Sequence, residues 1–309
     1  MALLPFRKKS APATGAASPE IEAFLNGYSI EVMPRTAEKV EDFRALLPEG
    51  TRVYIAHIDG TPIEDMVATA RRLAEDGFQV MPHFPARIIA DEAELADWIA
   101  RYQGDAGVRQ GLILAGSPRA QRGRFESSMQ LLETGLFEKA GFERLHVAGH
   151  PEGNRDIDPD GGDANVMDAL RWKLNYAANT DAEMAIVTQF CFEADPAITW
   201  VDRLAQEDIT LPVHIGIAGP AKLQTLIRFA IACGVGPSLK VLQKRAMDVT
   251  KLVLPYEPTD VVRELAAHKA AHPAFNIEQV HFFPLGGIRT NATWAINHGG
   301  AATRPANAA

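Results

Sequence analysis

The chain has 309 residues, of which 47% are hydrophobic and 23% charged, and its two cysteines form no disulfide framework, which fits a reducing cytoplasm. Its 31 basic and 39 acidic side chains give a formal net charge of −8, which argues against a nucleic acid or an anionic membrane surface as the main partner. No apolar run approaches the ~20 residues that a membrane-spanning helix needs, so we expect a soluble, cytoplasmic protein.

The two ends of the chain differ in composition from its middle. Residues 1–19 are rich in Ala, Ser and Pro, and the basic run Arg7-Lys8-Lys9 follows the first apolar residues. A signal peptide has the opposite order. We therefore expect a flexible leader over 1–19, a single folded domain over 20–298 and a flexible tail over 299–309.

Between these ends, apolar runs of strand length alternate with segments of helical periodicity. The strand interiors are continuously apolar, as in Leu112-Ile113-Leu114, which is typical of strands buried on both faces of a parallel sheet. The eight predicted strands are Tyr28–Met33, Arg52–Ile58, Phe78–Phe84, Val108–Ala115, Glu143–Gly149, Glu183–Phe190, Leu211–Ile217 and Ile277–Pro284. The predicted helices include Thr61–Glu75, Asp91–Gln103, Asp163–Ala178, Ala221–Cys233, Leu239–Met247 and Thr259–Ala270.

Seven strand–helix units followed by an eighth strand predict a (β/α)8 TIM barrel with extra helices before the last strand. An open doubly wound sheet is the competing architecture. It usually carries a Gly-x-Gly-x-x-Gly turn after its first strand, and this sequence has none. Asp163 is expected to cap the helix that follows it.

The active residues of a TIM barrel lie at the carboxyl ends of its strands, and Glu31 is the sharpest candidate there. It lies within the apolar strand Ser29-Ile-Glu31-Val-Met33, where an uncompensated carboxylate is costly. Burial favours the protonated carboxyl and suits a general acid. The structural alternative is an ion pair with a neighbouring arginine such as Arg35.

Other polar residues follow the remaining strands. Gln189 can orient a heterocycle without adding charge, although a buried amide that satisfies loop backbone is an equal alternative. His83 and His150 stand in turns bounded by proline, and each taken singly is more often a structural histidine. Further rim candidates are His57, Ser117, Glu152 and Gly216.

Two weaker signals have structural alternatives. Arg119, Arg122 and Arg124 could meet the phosphates of a nucleotide, but a solvated basic loop is the more common explanation. The run Asp156-Ile-Asp158-Pro-Asp160-Gly161 begins like a calcium loop, but its twelfth position is Met167 instead of Glu. No metal site is therefore predicted.

Six segments in register resemble the methylenetetrahydrofolate reductase family over about residues 26–298. The first resembles the family's opening strand, whose Glu is the general acid, and the fourth resembles its Ile-Thr-Gln-Phe strand, whose Gln contacts folate and nicotinamide. Two further segments resemble a flavin-site Pro-His-Leu and an Ala-Gly-Tyr-Pro-Glu-Gly-His loop. Matched segments are Tyr28–Arg35, Pro82–Phe84, Val147–Asn154, Ala185–Phe190, Pro212–Ile217 and His281–Phe283.

The resemblance implies a cytoplasmic barrel enzyme that reduces a folate with NAD(P)H and FAD, NADH being favoured, in one-carbon metabolism such as methionine biosynthesis. It assigns catalysis to Glu31. It assigns substrate binding to Gln189, Ser117, Phe192 and Gly216, and cofactor binding to His57, His83, Gly116, His150, Glu152, Asn154, Lys173 and Leu223. The resemblance leaves open whether the protein forms a homo-oligomer.

The departures from the family pattern fall on flavin and nicotinamide contacts. Leu114-Ala115-Gly116-Ser117 stands where the family has Leu-Arg-Gly-Asp, and Leu223 stands where a Phe is common. They suggest the hypothesis that flavin binding is weakened or absent and that NAD(P)H passes hydride directly to the folate. The alternatives are another barrel enzyme that uses a one-carbon folate, and a folate-binding or complex-forming subunit without redox activity.

Overall fold

Eight parallel strands close into a barrel in the order β1 to β8, as the alternation of strands and helices predicts. A computed structural model describes residues 18–118, 120–233, 242–243 and 255–300. Strand β8 pairs with β1 through Ile30 and Phe282, which closes the ring and excludes the open doubly wound sheet. No helix in the described ranges is long and apolar enough to cross a membrane.

Each observed strand lies within about two residues of a predicted one at either end, apart from the second strand, which ends at Ile55 instead of Ile58. The strands are β1 Ser29–Val32, β2 Arg52–Ile55, β3 Gln79–Pro85, β4 Gln110–Leu114, β5 Arg144–Gly149, β6 Glu183–Cys191, β7 Val213–Ala218 and β8 Ile277–Phe283.

The helices form the outer layer around the barrel. In the described ranges they are α1 Pro19–Leu25, α2 Pro34–Ala37, α3 Ile63–Glu75, α4 Glu92–Ala106, α5 Ser128–Glu133, α6 Leu136–Lys139, α7 Ala164–Ala177, α8 Ala194–Gln206, α9 Leu223–Ala232, α10 Thr259–Ala271 and α11 Ile288–Asn297. The predicted helix Thr259–Ala270 is therefore confirmed. Apart from Leu242 and Gln243, the predicted helix Leu239–Met247 lies outside the described residues, as do 1–17 of the leader and 301–309 of the tail.

Alternate residues of each strand point outward and build the main hydrophobic core with the helices. Phe84 of β3 shows how tightly this layer packs. Its ring meets those of Tyr102, Phe137 and Phe142 edge to face, at centroid distances of 5.5, 5.1 and 6.0 Å. Such edge-to-face contacts add to the free energy gained by burying the rings.

The barrel interior is unusually polar for a layer that TIM barrels fill with branched aliphatic side chains. Tyr54, Met81, Leu112 and Val187 form a small apolar cluster inside it. Around them lie four buried polar side chains, Ser29, His146, His214 and His281. The strands therefore bury titratable groups where the predicted pattern indicated apolar ones.

Arg52 closes the amino-terminal end of the barrel. Its guanidinium donates to the side-chain oxygens of Gln110 at 3.1 Å, Gln279 at 3.3 Å and Gln79 at 3.1 Å. Burial lowers the pKa of Arg52, but three amide acceptors compensate the cost of desolvating its charge. Four strands are thus tied together by one side chain.

The cap of α7 differs from the expectation. Asp163 occupies the N-cap position but makes no side-chain cap bond, and its carboxylate pairs with Arg203 instead. The buried carboxylate of Asp158 accepts from the backbone N–H groups of Asn165 at 3.0 Å and Val166 at 3.1 Å. An aspartate outside the helix thus satisfies donors at its first turn.

Candidate functional site

Glu31 and His83 face each other at the carboxyl ends of β1 and β3. Glu31 Oε2 lies 3.3 Å from His83 Nε2, with side-chain exposures of 18% and 9%. The distance is that of an ion pair, although the groups are not aligned for a hydrogen bond. In the described residues the ion-pair partner of Glu31 is therefore this imidazole, and the alternative pairing with Arg35 does not occur.

The histidine partner changes what the carboxyl group can do. Arginine would hold the carboxylate ionised, because its guanidinium does not lose its proton. An imidazole, unlike a guanidinium, can either donate to a carboxyl group or accept from it. Tyr54 of β2 lies between the two strands, and its ring meets that of His83 edge-on at 6.4 Å.

Gln189 lies in an irregular part of β6, where the pairing register with β7 shifts between Val187 and Phe190. Its side-chain oxygen accepts from the backbone N–H of Phe190 at 3.2 Å, and the residue is half-buried. The hydroxyl of Thr188 donates to the Gln189 carbonyl at 2.9 Å and accepts from the Gly216 N–H at 2.8 Å. Thr188, absent from the sequence candidates, thus helps hold Gln189.

Gly216 has a packing reason to lack a side chain. A Cβ there would lie 2.5 Å from the Thr188 carbonyl oxygen and 2.6 Å from that of Gln189. Real Cβ atoms do not approach backbone so closely, so the glycine allows β7 to lie against the irregular part of β6. Its predicted place in the substrate site is consistent with this position next to Gln189.

We expect Gly216→Ala to displace Gln189 by a fraction of an ångström or more, and thereby to lower about 100-fold any turnover that depends on the position of Gln189. Overpacking should also cost about 1–3 kcal/mol of stability. Steady-state kinetics and urea unfolding measure the two effects. Gly104→Ala is the matched control, since an added Cβ there meets nothing within 4 Å. Unchanged kinetics for Gly216→Ala would show that the backbone of β6 is adjustable.

Phe192 and Leu223 lie in one apolar cluster at the β6–β7 side of the mouth. Phe192 packs edge-on against Tyr256 at 5.3 Å, and Phe190 packs against Phe283 at 5.4 Å. The cluster consists of Phe190, Phe192, Ala218, Ala221, Leu223, Leu226, Ala230, Leu242 and Tyr256. Such a wall suits the apolar face of a planar heterocycle.

The loop after β5 brings His150, Asn154 and Lys173 together. Asn154 Nδ2 lies 3.5 Å from His150 Nδ1, and Lys173 Nζ donates to the Ala148 carbonyl at 3.2 Å. Burial lowers the pKa of Lys173 to about 8. Burial and the nearby charge of Lys173 lower the pKa of His150 to about 4, so its imidazole is neutral at pH 7.

Glu152 belongs to the same loop and lies near the end of β6. Burial raises the pKa of the Cys191 thiol to about 12, and the charge of Glu152 adds to that shift. Cys191 is therefore an unreactive thiol. The acidic residues that follow in this loop serve the fold, because Asp158 caps α7 and Asp156 pairs with Arg87.

His57 turns toward the outer layer of helices. It stacks on Trp98 of α4 at 4.7 Å, and its Nε2 donates to the Thr61 carbonyl at 3.0 Å. Burial lowers its pKa. The Nδ1 atom is buried and has no hydrogen-bond partner among the described residues.

The loop after β4 carries Gly116 and Ser117. Gly116 has a φ of +93°, and a Cβ there would lie 3.0 Å from the Cβ of Pro85. The glycine therefore lets the loop turn closely over the end of β3. Ser117 stands on this turn.

The arginines around this loop are engaged within the protein. Arg87 donates to the carbonyls of Pro118 and Glu126, each at 3.1 Å, and pairs with Asp156. Arg122 pairs with Glu94 at 3.0 Å, and Arg124 pairs with Glu92. These contacts support the structural interpretation of the basic loop, while Arg119 lies outside the described residues.

The interior histidines are the residues that the sequence analysis missed. Tyr54 Oη lies 2.6 Å from His146 Nδ1, and the rings of His146 and His214 meet at 4.7 Å. His281 Nδ1 lies 2.9 Å from Ser29 Oγ. A period of two along β5, β7 and β8 could have placed them inside the barrel. No cluster of metal-ligating type occurs among the described residues.

No protein-family model matches the chain. Among solved structures, an uncharacterized protein from Clostridium thermocellum that binds two copies of 5-methyl-5,6,7,8-tetrahydrofolic acid has the same fold. The TM-score is 0.54, the alignment covers 90% of this chain and 96% of that one, and 10% of the aligned residues are identical. The likeness shows that the barrel is shared with a folate-binding protein.

Proposed function

We propose that this protein reduces 5,10-methylenetetrahydrofolate to 5-methyltetrahydrofolate with NAD(P)H, NADH being favoured. The Glu31–His83 pair carries the proposal, because it brings a carboxyl group and an imidazole into contact near the carboxyl ends of the strands. The six motifs that resemble the reductase family support the reaction, and the fold shared with a folate-binding barrel supports the substrate class.

The reaction needs one proton and one hydride. Glu31 gives its proton to N10 of the folate, the bond between N10 and the bridging carbon breaks, and its electron pair stays on N10. The bridging carbon is then an iminium at N5 and accepts hydride from C4 of the nicotinamide. Methyltetrahydrofolate and NAD(P)+ result. A proton from solvent restores Glu31, and His83 is placed to exchange it.

The remaining rim residues position the two reactants. In this proposal the amide of Gln189 forms hydrogen bonds with the polar edge of the pterin or the nicotinamide, while Phe192 and Leu223 pack against an apolar face of the same ring. Donor and acceptor carbons must then come within about 3–3.5 Å of each other. The neutral imidazole of His150 adds a hydrogen-bonding group without adding charge.

The residues present do not fit a tightly held flavin. Gly116 and Ser117 bring no charge to the loop after β4, and the cations described near it, Arg87, Arg122 and Arg124, are paired with carboxylates. Lys173, buried beside β5, is the cation that the described residues near this loop leave without a carboxylate partner. Hydride therefore passes directly from NAD(P)H to the folate in this proposal.

An absorbance spectrum of the purified protein, followed by anaerobic NADH oxidation with methylenetetrahydrofolate, tests the proposal. We expect a colourless protein that turns over without added FAD. Bound flavin with turnover would overturn the direct transfer but keep the reductase. Lack of turnover with NADH and with NADPH, even after FAD is added, would overturn the reductase.

A folate-binding or complex-forming subunit is the second candidate. The replacement of a charged pair by Ala115 and Ser117 favours it, since catalysis on the flavin side would then be lost. Calorimetry with 5-methyltetrahydrofolate distinguishes it from the reductase, because the subunit would bind the folate and show no turnover.

A further inference from the structure

We propose that α9 forms one wall of the folate site and that its Phe229 packs against the aminobenzoyl ring of the substrate. The inference rests on the proposed function, in which Glu31 gives its proton to N10 of the folate. N10 carries that ring, so the ring lies beside Glu31 when the acid reaches N10. The place of α9 in the fold brings an aromatic side chain to the same part of the barrel mouth.

The helix α9 lies outside the outer layer of the barrel. α10 packs against α8 and leads directly into β8, so it is the outer-layer helix that connects β7 with β8. The backbones of Ala221 and Tyr256 exchange two hydrogen bonds, of 3.2 and 2.9 Å. They bring the chain back to the end of β7 before α10 begins. α9 is therefore anchored at the mouth of the barrel.

The buried side of α9 packs on the apolar cluster at the barrel mouth. Leu223, Leu226 and Ala230 are the buried residues of the helix, and they join the cluster that contains Phe190 and Phe192. Residues at the end of β8 pack on the same cluster. α9 therefore lies over the carboxyl ends of these strands, at the entrance to the candidate site.

Phe229 and Cys233 occupy one flank of α9. They are four residues apart, so they lie one turn from each other on the same side of the helix. The N–H of Cys233 donates to the Phe229 carbonyl at 2.8 Å. Phe229 is half-buried, with part of its ring packed on the apolar cluster. The rest of the ring is apolar surface that the ring of a ligand can cover.

Cys233 shows that this flank faces Glu31. Its side chain is exposed, yet burial by surrounding atoms raises the pKa of its thiol to about 11, and the charge of Glu31 adds to that shift. A group that solvent reaches and that other atoms nevertheless crowd lies in a recess of the surface. Charges separated by more than about 10 Å in solvent are largely screened, so Glu31 and Cys233 border the same recess.

Protection of Cys233 from N-ethylmaleimide tests this wall in the unmodified protein. The chain has two cysteines, and Cys191 is buried, so peptide mass spectrometry follows Cys233. We expect 5-methyltetrahydrofolate, at about ten times its Kd, to slow the labelling about tenfold. 5,6-Dimethyltetrahydropterin, which lacks the aminobenzoylglutamate, should leave the rate unchanged. Protection by both ligands, or by neither, would overturn the inference.

Ala267→Cys in a Cys233→Ser protein is the control, because Ala267 is exposed on α10 in the outer layer. Its labelling rate should respond to neither ligand. Calorimetry determines separately whether 5-methyltetrahydrofolate binds. Folate that binds without protecting Cys233 rejects the α9 wall and keeps the proposed function, whereas absence of folate binding rejects both. Protection in a protein that oxidises no NADH would keep the wall and reject the reductase.

Phe229→Ala tests the aromatic contact itself. We expect about tenfold weaker binding of 5-methyltetrahydrofolate, because the contact between the two rings is lost. Unchanged binding of 5,6-dimethyltetrahydropterin would show that the variant is folded. Ile231→Ala is the matched control, since Ile231 is 64% exposed and lies two residues further along, on the other side of α9. Equal folate affinities of the two variants would overturn the contact.

Discussion

Glu31→Gln is expected to lower turnover of methylenetetrahydrofolate by about 10²- to 10⁴-fold, the range that a positioned general acid contributes. The amide keeps the size of the side chain but cannot give a proton to N10. Binding of the product, 5-methyltetrahydrofolate, should change little, because that ligand needs no proton from Glu31. Stopped-flow NADH oxidation and calorimetry measure the two quantities.

Glu38→Gln is the matched control, since Glu38 is exposed and follows α2 in the same segment. It should leave turnover unchanged. Circular dichroism must show the same fold for both variants. If Glu31→Gln turns over at the wild-type rate, Glu31 is not the acid and the contact with His83 serves the structure alone.

Acidification is expected to destabilise the fold steeply below about pH 6.5. Burial, the leading cause in each case, lowers the pKa of His146, His214 and His281 below the ordinary histidine value. The unfolded chain therefore binds these three protons at a higher pH than the folded protein does. Stability is fully present above the unfolded pKa and is lost as the pH falls through it.

The charged groups around these histidines also lower their pKa values, with one exception. Arg52 and Arg144 disfavour the charged form of His146, and the other imidazoles do so as well. Glu278 is the exception, because its carboxylate lies 2.9 Å from His214 Nε2 and favours the charge. Desolvation outweighs that pair, since the pKa of His214 is still lowered.

These three groups give a limiting slope of about 4 kcal/mol per pH unit, at about 1.4 kcal/mol for each proton. His57 and His150, whose pKa values burial also lowers, add to the slope in the same direction. Urea unfolding at pH 7.5 and 5.5 measures it. His281→Phe should reduce the slope by about one proton, whereas His272→Gln, at an exposed position of the outer layer, should leave it unchanged. A stability that is equal at both pH values would contradict neutral histidines inside the barrel.

The barrel was predictable because its strands carry continuous apolar runs, as in Leu112-Ile113-Leu114, that only a doubly covered parallel sheet can bury. The topology then placed Glu31, His83 and Gln189 at one rim without further information. The contact between Glu31 and His83 was not predictable. The two residues are 52 positions apart in the sequence, and β2 lies between their strands. Their contact depends on how far each side chain extends across the barrel.

The polar interior was not predicted, although its histidines lie at positions that a period of two places inside the barrel. His146, His214 and His281 alternate with apolar residues, so each strand still resembled a buried one. Asp158 was equally hard to recognise as the cap of α7, because it precedes the helix by six residues and reaches it through a folded loop. Sequence periodicity describes local structure, whereas these contacts follow from loop conformation and from the closure of the barrel.

The Arg52 cluster at the amino-terminal end of the barrel has a consequence for the direction from which a ligand can reach the interior. With three glutamines bound to the guanidinium, side chains fill the amino-terminal end of the barrel. In the proposed direct hydride transfer, both reactants would approach from the carboxyl ends of the strands, the end opposite Arg52.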